Sequence, residues 1–153
     1  YMPQTQNREE SIHMASLPDA DPKWKNKDLA EKWNLLLDIR GEVTKALEES
    51  RSKKEIGHPL DAFVSICSNE QESEVLNFYA DDLHTYFIVS KTELVDQAPE
   101  NAFTSKEIEG LTIGVKPAPG EKCERCWIHD TTVGTIEDNP SICQKCKTQL
   151  EAI

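Results

Sequence analysis

From Leu29 onward, apolar residues recur at steps of three and four through Trp33, Leu36, Leu37, Val43 and Leu47, with Arg40 on the same stripe. That is the period of a helix burying one face. Asp28, with Glu31 three residues later, supplies an N-terminal cap, and Gly57 followed by Pro59 supplies a stop. The pattern predicts a long helix over 28–56, roughly 40 Å at about 1.5 Å per residue. Beyond it the period falls to two. Residues 60–67 (LDAFVSIC) alternate and are rich in β-formers, which predicts a strand with Cys67 as a small buried hydrophobe. Glu72 to Tyr79 gathers Val75, Leu76 and Tyr79 on one side of a short helix. Leu83 to Val89, with Tyr86-Phe87-Ile88-Val89, reads as a second strand. Thr92–Asp96 and Leu111–Lys116 read as further strands around a loop at 97–109, giving a small α+β unit over 57–116. Residues 1–27, interrupted by Pro3, Pro18 and Pro22, hold neither period and form an extended leading segment. Within it Ser11-Ile12-His13-Met14 alternates like an extended strap lying against another domain.

With 153 residues and 37% apolar content, the chain suits two small cores better than one large one. No run approaches the roughly twenty apolar residues of a membrane span, and no signal peptide is evident. A net charge of −11 taken whole opposes a phosphate-binding surface. The distribution of that charge changes the picture: residues 57–115 carry eleven acidic and two basic side chains, whereas 23–56 carry nine basic and seven acidic, and 116–148 carry five of each. The cluster Arg51, Lys53, Lys54 complements the C-terminal dipole of the helix and is also a candidate phosphate contact.

The most specific signal is Cys123-Glu-Arg-Cys126 followed, after sixteen intervening residues, by Cys143-Gln-Lys-Cys146. Two Cys-x-x-Cys knuckles each offer two sulfurs to one ion, and together they complete a tetrahedral zinc site, with Gly134 and Asn139-Pro140 providing the turns between them. Disulfides require an oxidising compartment, for which the rest of the chain gives no sign. Iron takes the same ligands but favours glycine-rich knuckles, absent here. Four protein sulfurs leave no position for an activated water, so the expected Zn2+ is structural. His13 is read as a packed or exposed residue. The fold class expected is α+β: a long helix, a small mixed unit, and a zinc-ribbon-like four-cysteine module over 117–153.

The chain has no glycine-rich phosphate loop, no nucleophile elbow and no histidine–carboxylate cluster, and Asp81-Asp82 and Glu48-Glu49 read as solvated surface. It carries no catalytic site of its own.

Several stretches together resemble the C-terminal region of bacterial isoleucyl-tRNA synthetases. They are residues 10–18 (ESIHMASLP), 37–48 (LDIRGEVTKALE), 56–62 (IGHPLDA), 120–127 (GEKCERCW), Val133-Gly134 and Cys143-Gln-Lys-Cys146. The order agrees along nearly the whole chain, with 68–109 matching only loosely. The resemblance implies the end of an anticodon-binding domain (helix 28–56), a junction unit (57–116) and a zinc-bearing tail (117–153) leaning on the anticodon stem-loop of tRNA-Ile. It further implies a cytoplasmic, monomeric ligase, with ATP and Mg2+ handled in a catalytic core upstream of any residue present. Lys122, Arg125, Lys145 and Lys147 are then candidate RNA contacts held rigid by zinc, with Arg51, Lys53 and Lys54 a second group; His129, beside a filled metal site, is read as surface or RNA-facing. Lys145 stands where arginine is frequent in the family, which weakens the case for a bidentate contact there. Trp127 is either the small core over the zinc, the reading favoured by the module's need for apolar area, or a platform for an unpaired base. Two rival readings remain. One is the zinc-finger tail of a DNA repair glycosylase, against which stands the absence of Lys or Arg in 127–142. The other is a zinc-stabilised protein-interaction module.

Overall fold

A computed structural model describes residues 9, 11–17 and 19–152. Much of the leading segment (1–8, 10 and 18) therefore lies outside the described residues. Where the strap was expected, Ile12–Met14 forms a single 3-10 turn, so the extended reading does not hold there.

Helix α1 runs Lys27–Ser52. Its cap is Asn26, whose side chain accepts the Leu29 N–H at 3.0 Å, not Asp28, which falls in the first turn, where its charge suits the dipole. The stop also lies earlier than Gly57. Lys54 takes a left-handed φ of 63°, Lys54 N–H bonds the Arg51 carbonyl, and Glu55 N–H bonds the Ser50 carbonyl, both at 3.0 Å. This is the Schellman pattern with lysine in the position usually given to glycine. The buried stripe is Leu36, Ile39, Val43, Ala46 and Leu47, whereas Leu29 and Leu37 are exposed. Glu42 is buried on that stripe; a 2.6 Å contact from Lys45 holds its carboxyl below the ordinary value.

Strand β1 (Ala62–Cys67) is followed by α2 (Glu70–Phe78), α3 (Leu83–Phe87) and β2 (Lys91–Leu94). Next come β3 (Phe103–Thr104), inside the expected loop, and β4 (Thr112–Pro117). The sheet order is β2-β1-β4-β3, with β1 parallel to β2 and antiparallel to β4. Alternation sorts β1 by face: Val64 and Ile66 join Ile113, Leu111 and the helical stripe in one core. On the other face Phe63 lies under the Lys91 and Lys116 ammonium groups, at 5.3 and 4.4 Å from its ring, and Ser65 donates to Glu93.

The strand expected over 83–89 is helical instead. Leu83 and Phe87, four residues apart, both point into the core, and Ile88 then turns left-handed with φ 58°. The β-rich composition of Tyr86-Phe87-Ile88-Val89 yields to packing, because a helical turn places two large side chains, Leu83 and Phe87, together in the core. Trp33, Tyr79 and Tyr86 close this end of the core in tilted to edge-on contacts with ring centres 5.0 to 5.9 Å apart.

The last stretch builds a second, separate cluster. Strands β5 (Glu121–Lys122) and β6 (His129–Asp130) pair antiparallel, and α4 covers Gln144–Glu151. Its small core is Cys123, Ile142, Cys143 and Cys146, flanked by Cys126 and Val133.

Candidate metal centre

Both knuckles are shaped by local backbone chemistry. After β5 the chain folds back so that Trp127 N–H bonds the Cys123 carbonyl at 2.8 Å and Cys123 N–H bonds the Ile128 carbonyl at 3.0 Å. Closing so tight a loop puts Trp127 at φ 67°, an unusual conformation for an aromatic residue. On the other side, Asp130 accepts from the amide and hydroxyl of Thr132, and the Thr132 hydroxyl accepts the Gln144 N–H at 2.9 Å. That last bond serves as the missing side-chain cap of α4, since its N-cap residue, Cys143, makes none.

The four sulfurs lie within 4.8 Å of one another. The close approaches cross between the knuckles: Cys123 to Cys146 at 3.8 Å and Cys126 to Cys143 at 3.7 Å. A disulfide would need about 2.05 Å. A tetrahedron of sulfurs about 2.3 Å from a central zinc has edges of about 3.8 Å, so these spacings fit zinc. The protonation chemistry points the same way. At Cys123 burial opposes ionisation, but amide N–H groups of Cys126, Cys143 and Arg125 overcome it and bring the thiol down to about 6. Burial pushes Cys126 up to about 12 and also raises Cys143. A divalent cation would supply the charge that offsets the cost of burial at Cys126 and Cys143. Cys67 is outside this group, at the end of β1.

The candidate RNA contacts divide. Lys122, Arg125 and Lys145 are exposed around the module, and the Lys122 ammonium stands 5.4 Å from the centre of the Trp127 ring. Lys147 pairs with Glu151 at 3.7 Å. At the end of α1, Arg51 and Lys53 are engaged by Glu48 and Glu49 at 3.2 and 2.7 Å, while Lys54 serves the helix stop. The expectation that Trp127 is the module's core does not hold: its side chain is 59% exposed, and Ile142 and Val133 fill the interior. His129 is not a free surface residue either. Its ring is mostly enclosed, with Nδ1 3.1 Å from the Gly120 carbonyl and Nε2 3.5 Å from Asp61 Oδ1. No sequence period links positions 61 and 129, so sequence reasoning missed this contact.

Residues 120–148 match a family described as the zinc finger found in FPG and IleRS. Over 151 residues, 99% of this chain, there is 42% identity with an isoleucine–tRNA ligase of Geobacter sulfurreducens. An isoleucine–tRNA ligase of Caldanaerobacter subterraneus subsp. tengcongensis is 46% identical over 95% of the chain, and one of Desulfitobacterium hafniense 40% identical over 88%. The chain spans only 15 to 16% of the length of these relatives.

Proposed function

From a chain homologous over nearly its whole length to a stretch of the isoleucine–tRNA ligases, we propose that it is the C-terminal, RNA-contacting part of such an enzyme. Cys123, Cys126, Cys143 and Cys146 hold one structural Zn2+, and the metal fixes the two knuckles that present Lys122, Arg125, Trp127 and Lys145 to the anticodon stem-loop of tRNA-Ile. Residues 28–56 belong functionally with the anticodon-binding helices, 57–116 act as the junction and 117–153 as the metal-bearing tail. Charging of tRNA-Ile with ATP and Mg2+ takes place in the part of the enzyme that this chain does not include. The observation that carries the RNA reading is Trp127. An indole 59% exposed, set by a left-handed backbone and topped by a lysine, contributes little to a core. It has the form of a platform on which an unpaired base stacks beside a cation. Lys147, Arg51 and Lys53 already have acidic partners and contribute less to the contact.

The test is elemental analysis of the purified chain together with fluorescence anisotropy on a labelled hairpin RNA carrying the tRNA-Ile anticodon stem-loop. One zinc per chain, with hairpin binding that disappears on chelation and returns with zinc, is expected. Binding that survives removal of zinc overturns the assignment of the module as the RNA contact.

A further inference from the structure

The two cores share no buried apolar residue, and the chain passes between them through Pro117-Ala118-Pro119-Gly120. Their relative orientation rests on a polar joint. Asp61, at the turn entering β1, is its hub. The Asp61 carbonyl accepts the Ala118 N–H at 2.7 Å, and Oδ2 accepts the Gly57 and His58 N–H groups at 3.2 and 2.7 Å. Its other carboxylate oxygen faces His129 Nε2. Ser90, buried just before β2, donates its hydroxyl to the Leu60 carbonyl and accepts the His129 N–H at 2.8 Å. The third hold on His129 is within the module: a carbonyl has only lone pairs to offer, so Nδ1 donates its hydrogen to Gly120. Gly120 itself has φ 89°, and a Cβ there would meet the Asp130 carbonyl carbon at 2.3 Å, so the crossing of the two β5–β6 strand ends requires glycine.

Hydrogen bonds are directional where an apolar contact slides, so the two that hold His129, to Ser90 and Gly120, with the Asp61 carboxylate 3.5 Å from its ring, specify an angle. His129 pairs with Lys122 across β5–β6, and Lys122 in turn lies over Trp127. The joint therefore sets the direction in which the indole and ammonium point. We propose that Asp61, Ser90 and His129 are positioning residues: a clasp that locks the zinc module on the sheet unit in one orientation and so presents the Trp127–Lys122 surface already aligned. This inference rests on the RNA reading above, because pre-alignment removes an ordering cost that binding must otherwise meet.

The experiment uses the zinc-loaded 153-residue chain and its Ser90→Ala, Ser90→Thr, His129→Ala and Trp127→Ala variants, with amide 15N relaxation and hairpin RNA titration on each. Ser90→Ala and His129→Ala are expected to retain one zinc and the chemical shifts of each core. In both, residues 121–148 should tumble faster than 62–117, and RNA affinity should fall about tenfold. Ser90→Thr, which keeps the hydroxyl, restores common tumbling and affinity, and so guards against a fold defect in the alanine variant. If 121–148 and 62–117 still tumble together in both alanine variants, the clasp is overturned, even where RNA binding has weakened, since His129 then touches RNA itself. Separate tumbling with RNA affinity unchanged in these variants and in Trp127→Ala supports the clasp and overturns the RNA reading instead.

Discussion

At the scale of single residues, Trp127 and Asp61 carry the most consequence. An exposed aromatic in the left-handed region contributes little to the fold, so Trp127→Ala is expected to shift stability by under about 0.5 kcal/mol. The same change should weaken hairpin RNA binding by about 1–3 kcal/mol, the range for loss of one stacked base. Denaturation and anisotropy on one preparation distinguish this from a core role, in which stability falls first. Trp127→Phe should bind between the two. Asp61 gives a pH dependence whose sign follows from its environment. Burial opposes ionisation, but the His58 and Gly57 amides, with His129 and Lys122 beside it, hold the carboxyl below its ordinary value. A group depressed in the folded state stabilises above its unfolded value of about 3.9, and that contribution is lost as pH falls through the folded value. Acid titration followed by NMR should therefore show Asp61 and the His129 N–H changing together below about pH 4, with Asp61→Asn removing the transition.

At the scale of elements, α1 shows how a periodic stripe is trimmed by what covers it. Leu36 and Leu37 are adjacent and both apolar, yet one is 2% exposed and the other 52%. The sheet and α2–α3 cover only one side of the helix, so Leu36→Ala should cost about 2–5 kcal/mol and Leu37→Ala under about 0.5, read from urea midpoints. Ile39, Val43 and Leu47 continue the covered side. At the other sheet face a Cβ on Gly114 would meet Pro99 at 2.8 Å. The bare strand position there seats the 97–101 loop.

At the scale of the whole molecule, two cores joined by a polar clasp should come apart in sequence. Chelation is expected to abolish hydrogen-exchange protection in residues 120–148 while β1 and β4 keep theirs, because only the smaller cluster depends on the metal for its folding energy. Charge acts at this scale too. The molecule is strongly acidic, so RNA binding must rely on a local patch, in which Lys122, Arg125 and Lys145 are the exposed cations. Three phosphate contacts predict a slope of log K against log salt of about −2. A slope near zero, measured by anisotropy across a salt series, would exclude phosphate contact.

Spacing alone determined the metal module, since two Cys-x-x-Cys knuckles carry their geometry in a few local hydrogen bonds, and the long period of α1 determined a helix with one buried face. The clustering of the four cysteines and the resemblance carried by residues 120–127 were legible for the same reason: short-range patterns survive without a partner. Tertiary structure alone decided that Leu83–Phe87 is helical, because burying Leu83 and Phe87 together outweighs β-propensity. It alone turned Trp127 outward, since Ile142 and Val133 already fill the small interior. And it alone joined His129 to Asp61 and Ser90, residues 68 and 39 positions away, whose meeting is encoded in how two small cores dock rather than in any local period.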